Sequence, residues 1–589
     1  MLTQEILESI RFFALENALK FKGKANNNAV FGKVLGNFPE LKKDMNFLKK
    51  EVDEIVSNVN SLSFEDIVKE YESVKRKTQK DLKNEKSEVV EEKLKKEEQK
   101  KKKDLPDLPN AVYGKVITRI PPEPSKYNHI GHALSFLINY LYAKKYNGKC
   151  FIRFEDTNPE KATQEFVDAM IEDVVGYLEI KPDKIMFVSD DMPLFYDFAE
   201  KLIKMQKAYV CCCEREKMQE FREKGISCEC SKNNVDKNLN EWHKMLKGFY
   251  NEGEAVLRLV GDMKSLNHVM RDPVIFRINK TEHYRQKNKY CVWPMYDFEN
   301  AVEDSITGVT HILRSNEFGE MRIELQNYIK ELLGLPKQTI IQYGRFNISG
   351  ATTKGREIRE KINSGEVFGW DDPSLVTLKA MKRRGYVKET FYELVYEVGL
   401  SANTSKNIDW SLIESINRAI LDKKVNRYFF VENPIKIGIK NSPILKVQLK
   451  KHPELMEKGF RIFETKGVFY VSKTDYDKFN NGDLIRLMDC LNFKVINKEK
   501  NEFLFDSLDY ETYKKTGKLI IHWLPADEIN EKELVYTEVL MPNHELKKGY
   551  AENEIKNLAK EEIVQFQRFG FCKLDEVKED KFIFWFTTK

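Results

Sequence analysis

The chain has 589 residues, 41% hydrophobic and 32% charged, which is too long for one hydrophobic core and implies roughly three to five domains. Its net charge of +5 says little, because residues 75–103 hold 13 basic and 7 acidic residues while the rest holds 85 and 86; any nucleic-acid surface must come from charge distribution, not total. No run of about 18 apolar residues occurs, and the start MLTQEILESI has no basic residues followed by an apolar stretch, so a membrane protein and a secreted one are not expected.

Residues 1–74 read as a helical extension: ILESIRFFALENALKF and ELKKDMNFLKKEVDEIVSNV repeat apolar residues at three- and four-residue spacing. Residues 75–104 form a Lys/Glu run ending in KKKKD, before LPDLP. With too few apolar residues for a core, this is a charged linker, either a solvated tether or one that also holds RNA phosphates. At 111 the texture changes. AVYGKVITRI reads as a strand, PPEPSKYN as a turn, HIGHALSFLINYLYAKKY as a helix, KCFIRFE as a strand and TQEFVDAMIEDVVGYL as a helix. The alternation continues to about residue 335 and gives an α/β fold with a parallel sheet. Residues 374–422 look helical. From about 425 short strand-like runs dominate, from YFFVENPIKIGI to KFIFWFTT, and predict antiparallel β-barrels. The expected divisions are 1–74, 75–104, 105–335 with an insertion near 208–262, 336–424 and 425–589.

Arg119 to His132, RIPPEPSKYNHIGH, spans the end of a parallel strand and the start of a helix. Ligands bind at such strand ends, and a helix N-terminus suits phosphate. His129 and His132 share one face of the first turn, and Gly131 lets a flat ring approach the backbone. Two histidines there can donate hydrogen bonds to charge building on an α-phosphate. Taken alone, H-x-G-H favours ordinary capping or surface histidines, because so short a motif is weak evidence. The nine cysteines include Cys211-Cys212-Cys213 and, after a 14-residue gap, Cys228-Glu229-Cys230. Read as C-x-C twice, Cys211, Cys213, Cys228 and Cys230 supply four thiolates for a structural Zn²⁺ with no open position, leaving Cys212 outside; the alternative is a set of buried reduced thiols. Trp523, in LIIHWLP, reads as core rather than as a platform for a base.

PPEPSKYNHIGHA closely resembles the nucleotide-binding signature of class I aminoacyl-tRNA synthetases, above all their glutamyl/glutaminyl branch of archaeal and eukaryotic type. FIRFEDTNPEKA (151–162), AVLRLVGDM (255–263), YDFENAVEDSITGVTHILRSNEF (296–318) and GWDDPSLVTLKAMKRRG (369–385) match the same branch in the same order. VQFQRFGFCKLD (564–575) resembles its anticodon-binding barrels, and GKANNNAVFGKVLGNFPELKKD its archaeal-type helical extension. The resemblance implies a Rossmann-type catalytic domain that attacks the ATP α-phosphate with an amino-acid carboxylate, releases pyrophosphate, and passes the aminoacyl group to a terminal tRNA ribose. Mg²⁺ accompanies the ATP. His129 and His132 match histidines that contact phosphates, Gly131 the adenine-facing glycine, and Glu317 a residue near the ATP ribose. Arg119, Glu155, Tyr296 and Asn300 match positions around the amino acid. Arg314 matches the arginine by which glutamyl enzymes grip the γ-carboxylate with two charge-assisted bonds, where glutaminyl enzymes carry a small neutral residue; Ser125 points the same way.

The second, lysine-rich signature is degenerate. The matching stretch is ATTKGREI at 351–358, and the usual catalytic lysine falls on Gly355, so that Lys354 and Arg356 beside it are the candidates to bind ATP and act in its place. The expected function is a cytoplasmic, monomeric glutamate–tRNA ligase acting on glutamate and tRNA(Glu), with tRNA(Gln) as a second acceptor found among relatives. The competing readings are a glutaminyl-tRNA synthetase, opposed by Arg314; a catalytically inactive tRNA-binding paralogue, suggested by the altered loop; and a nucleotidylyltransferase, opposed by the long C-terminus.

Overall fold

A computed structural model describes residues 4–21, 23–38, 41, 45–71, 104–399, 406–579 and 581–589. The expected linker at 75–104 lies outside them except for its last residue. The chain divides into two compact units, residues 1–104 and 105–589.

In the first unit, α1 (Gln4–Lys20), α2 (Asn27–Asn37) and α3 (Met45–Asn60) precede a further helical stretch at 64–71. Asn26 caps α2 by accepting from the Ala29 amide, which satisfies one of the donors a helix start leaves open. Leu48, Val52, Val56 and Val59 of α3 pack with Ile10, Ala14, Val30 and Val34 in one core. This is the apolar stripe that the sequence spacing predicts.

The second unit opens with β1 (Ile117–Ile120), α4 (Ile130–Lys145), β2 (Lys149–Phe154), α5 (Gln164–Ile171) and β3 (Lys184–Phe187). The three strands are parallel, with Arg119 opposite Phe151. Later, α6 (Tyr296–Ile306) leads into β8 (His311–Ser315), which is followed by α7 (Gly319–Leu333) and pairs in parallel with β9 (Thr339–Tyr343). The Thr310 amide donates to the Ile117 carbonyl at 2.9 Å, so β8 flanks β1 and the order runs β9–β8–β1–β2–β3. Strands run outward in both directions from the β1/β8 junction, which puts a ligand crevice at their carboxyl ends. Arg119 stands near the end of β1 and Arg314 near the end of β8.

Between β3 and α6 the chain inserts an antiparallel sheet of β4 (Ala208–Cys211), β5 (Val256–Leu259), β6 (Val274–Ile278) and β7 (Val292–Pro294), in that order. TQEFVDAMIEDVVGYL is not one regular helix: after α5 the chain widens into a π-helix over Glu172–Tyr177. The widened turn carries the Tyr177 hydroxyl to the Tyr386 carbonyl, 2.5 Å away. Residues 374–422 hold the helices Leu378–Arg384, Lys388–Val398 and Trp410–Leu421, together with a short strand, Lys406–Ile408.

From 426 onward two seven-stranded sheets follow. In the first, the two edge strands, Asn426–Tyr428 and Phe430–Glu432, are separated by a single residue, so the sheet curls nearly into a barrel. Its strands are antiparallel-rich rather than wholly antiparallel. Asn426–Tyr428 runs parallel to Ile563–Phe566, and Val535–Leu540 parallel to Lys581–Thr588. Curling sets strands distant in sequence side by side, and hairpin connections no longer fix their direction. Trp523 is fully buried in the second sheet's core, its indole N–H donating to the Met488 carbonyl at 2.9 Å.

Candidate active site

A cavity of about 760 Å³ opens at the carboxyl ends of β1 and β8. Of the residues singled out from sequence, Arg119, His129, Gly131, His132, Glu155, Tyr296, Arg314, Glu317 and Lys354 line it. Asn300 lies buried behind the wall and Arg356 stays outside.

His129 is the cap of α4. Its Nδ1 accepts from the Gly131 amide at 3.1 Å, and His132 Nδ1 accepts from the His129 amide at 3.2 Å. Each ring nitrogen that accepts is unprotonated, so each neutral imidazole carries its hydrogen on Nε2. Burial, reinforced by the charges of Lys126 and Arg345, keeps both rings neutral and holds the His132 pKa down at about 3. The rings stack with centroids 3.8 Å apart. The result is two fixed N–H donors at a helix N-terminus. A Cβ on Gly131 would lie 2.9 Å from His129 Cε1. The flat ring that needs the glycine is therefore His129's own.

The other end of the cavity is charged and buried. Asp304 Oδ1 accepts from Arg119 Nε at 2.9 Å and from Arg153 Nη1 at 2.7 Å. Burial pushes the Asp304 carboxyl up, but these two guanidiniums outweigh it and hold it at about 2. Arg153 Nη2 also reaches Glu155 Oε1 at 3.0 Å and Asn300 Oδ1 at 3.1 Å. Arg119 Nη1 and Asn300 Nδ2 are buried without a hydrogen-bond partner among the described residues. Such orphans are costly unless a ligand meets them.

Arg314, 4% exposed, donates from Nη1 to Gln326 Oε1 at 3.0 Å; Gln326 Nε2 in turn donates to Asp297, which Arg322 pairs. Burial lowers the Arg314 pKa. Thr157 donates to Glu299, a fully buried carboxyl that burial raises well above its ordinary range. Sequence reasoning passed over Arg153, Thr157, Glu299 and Asp304. All four stand inside the quoted motifs, two of them as arginine and aspartate on apolar elements, which is the signal that marked them.

Three family models match. Residues 115–423 match the model of tRNA synthetases class I (E and Q), catalytic domain, and residues 425–510 and 520–575 match two models of the anticodon-binding domain of the same enzymes. The glutamate–tRNA ligase of Pyrococcus furiosus is 39% identical over 580 residues, 97% of each chain. That of Thermococcus kodakarensis is 38% identical over 592 residues, covering both chains completely, and that of Methanocaldococcus jannaschii 35% identical over 578 residues, 98% of this chain and 99% of its own.

The chain belongs to the glutamyl/glutaminyl class I tRNA synthetases.

Membership implies ATP with Mg²⁺ as a substrate and tRNA as a partner. The catalytic-domain match ends where the curled sheets begin, and the anticodon-binding matches cover most of those sheets, as far as residue 575. Among the described residues no helix is long and apolar enough to cross a membrane.

Within this synthetase the second signature loop enters helix α8 (Gly355–Asn363). Lys354 points at the cavity rim with its side chain 68% exposed and 2.7 Å from Glu357. Arg356 is 90% exposed and pairs with Glu360 at 2.9 Å. Arg345 pairs with Glu317 at the cavity wall.

The insertion brings Cys211, Cys213, Cys228 and Cys230 together, their sulfurs all within 4.8 Å of one another. Cys211 Sγ lies 3.7 Å from Cys228 Sγ, and Cys213 Sγ 3.9 Å from Cys230 Sγ. Tetrahedral Zn²⁺ with Zn–S bonds of about 2.3 Å needs sulfurs about 3.8 Å apart, so the four thiols fit the ion. Cys212 is exposed and outside the group. Arg258 Nη1 stands 3.8 Å from Cys211 Sγ and 3.7 Å from Cys228 Sγ, where it would offset part of the charge of four metal-bound thiolates.

Proposed function

We propose that the chain is a glutamate–tRNA ligase that uses ATP to form glutamyl-adenylate and transfers the glutamyl group to the 3′-terminal ribose of tRNA(Glu). The observation that carries this reading is Arg314, a buried guanidinium on the cavity wall held in place by Gln326. A planar cation buried in the cavity wall matches the γ-carboxylate of glutamate and would leave the amide of glutamine facing an uncompensated charge. The orphaned Nη1 of Arg119 adds a donor beside it. Glu155, buried at the same wall, receives the α-ammonium, and Tyr296 closes the side of the pocket. His129 and His132 donate from Nε2 to the phosphates, with Glu317 near the ribose.

The glutamate α-carboxylate attacks the α-phosphorus in line. The residues supply position and charge, which is most of what phosphoryl and adenylyl transfer requires. The purified chain, total archaeal tRNA, ATP and either labelled glutamate or labelled glutamine give the test. Acid-precipitable label is expected from glutamate alone; label from glutamine alone would reverse the substrate assignment within the same family. Charging purified tRNA(Glu) and tRNA(Gln) separately then defines the acceptors.

The four cysteines hold a structural Zn²⁺ in this reading. Metal analysis is expected to find one zinc per chain, and Cys228→Ser is expected to lose it and to melt several degrees lower, because binding energy at a closed site is folding energy. A zinc-free chain whose melting is indifferent to both chelator and added zinc would contradict it.

A further inference from the structure

Gly355 begins α8 at the point where the second signature would place a lysine, and the space a side chain would take there lies tightly against another residue. A Cβ built on Gly355 lies 3.0 Å from Lys126 Cδ and 3.4 Å from Lys126 Cβ. The stem of Lys126, from the turn between β1 and α4, therefore crosses the first residue of α8. Its charge faces the reaction chamber: Lys126 lines the cavity and is one of the two cations that lower the pKa of both His129 and His132. Burial in turn lowers its own pKa.

The cations around the second signature loop are engaged: Arg345 pairs with Glu317 and Lys354 with Glu357 at the cavity, and Arg356, outside it, with Glu360. Lys126 makes no direct ion pair among the described residues, although Glu123 and Glu317 lie near enough to raise its pKa against the effect of burial.

We propose that Lys126 is a catalytic residue of adenylate formation, its ammonium taking up the charge on the departing pyrophosphate in place of the side chain that Gly355 lacks. The proposal rests on the reading of this cavity as the site of ATP-dependent amino-acid activation. In the step, a carboxylate oxygen of the amino acid forms a bond to the α-phosphorus. The bond from that phosphorus to the oxygen bridging the β-phosphate breaks, and its electron pair leaves on that oxygen with pyrophosphate. No proton need move; Lys126 donates a hydrogen bond to the oxygens that become more negative. The two lysine positions compete for one space. A side chain at 355 would meet the stem of Lys126 at 3.0 Å, so that stem would have to give way by a few tenths of an ångström.

Lys126→Met keeps the aliphatic stem that packs on Gly355 and removes the charge. It is expected to melt with the wild type and to slow tRNA-dependent ATP–pyrophosphate exchange by about 100-fold in kcat, with the glutamate KM little changed. The double variant Lys126→Gly, Gly355→Lys is expected to exchange at least about tenfold faster than Lys126→Met. Calorimetry with inorganic pyrophosphate alone gives a readout independent of the amino acid, and Lys126→Met is expected to bind it about tenfold more weakly. Exchange and pyrophosphate binding both at wild-type level in Lys126→Met would overturn the proposal. A wild type that binds pyrophosphate through Lys126 but exchanges with neither glutamate nor glutamine would overturn the functional reading and the catalytic role with it, whereas normal exchange in the wild type with no loss in Lys126→Met would overturn the catalytic role alone.

Discussion

Arg314→Ala is expected to raise the glutamate KM by about two to three powers of ten while the ATP KM stays within about twofold, because truncating one partner of a buried charge pair costs about 2–5 kcal/mol. The effect falls on the amino acid alone. Arg314 stands at the end of β8 and is held by Gln326, Asp297 and Arg322, whereas the phosphate donors stand at the start of α4. Most of the loss arises because the γ-carboxylate would enter a pocket still lined by Glu155 and Glu299 with one cation fewer. Arg314→Lys keeps charge but not the planar fork, and is expected to recover only part. Steady-state exchange at varied glutamate checks both variants; unchanged glutamate kinetics in Arg314→Ala would remove it from the pocket.

His132→Ala is expected to slow adenylate formation by about 10²–10³-fold, the scale of losing one fixed transition-state donor. Its Nδ1 accepts from the His129 amide, so the substitution also loosens the start of α4 by about 1 kcal/mol. A melting curve separates that from the lost donor. The pH dependence follows from the sign of the shift. Burial and two nearby cations hold His132 at about 3, below its ordinary 6.5. The ring is therefore neutral and donates from Nε2 across the physiological range, and acidifying from about pH 8 to 6 protonates none of it. The same depression weakens the fold as pH falls from 6.5 toward 3, since the unfolded chain takes up that proton first. Single-turnover adenylate formation in the variant checks the rate, and a wild-type rate would take His132 out of catalysis.

Much of this was legible in the residues. Strand–helix alternation from 111 to 335 predicts the parallel sheet, and the HIGH-type segment predicts where two histidines meet a helix start. Both are local patterns. The spacing of Cys211, Cys213, Cys228 and Cys230 likewise predicts the cluster. What stayed hidden depends on contacts between distant segments. Lys126 reads as an ordinary turn lysine until α8 is laid against it, and Lys354 and Arg356, adjacent to the degenerate position in sequence, pair instead with carboxylates on their own helix. Asn300 carries a motif position yet supports Arg153 from behind the wall. The parallel pairs in the C-terminal sheets follow from closure of the sheet, which no single strand records.

The measurement that bears most directly on the whole account is tRNA-dependent ATP–pyrophosphate exchange, run in parallel with glutamate and with glutamine on the full chain. The account predicts exchange with glutamate and none above background with glutamine. Exchange with glutamine in place of glutamate, or tight tRNA binding with no exchange from either, would contradict it.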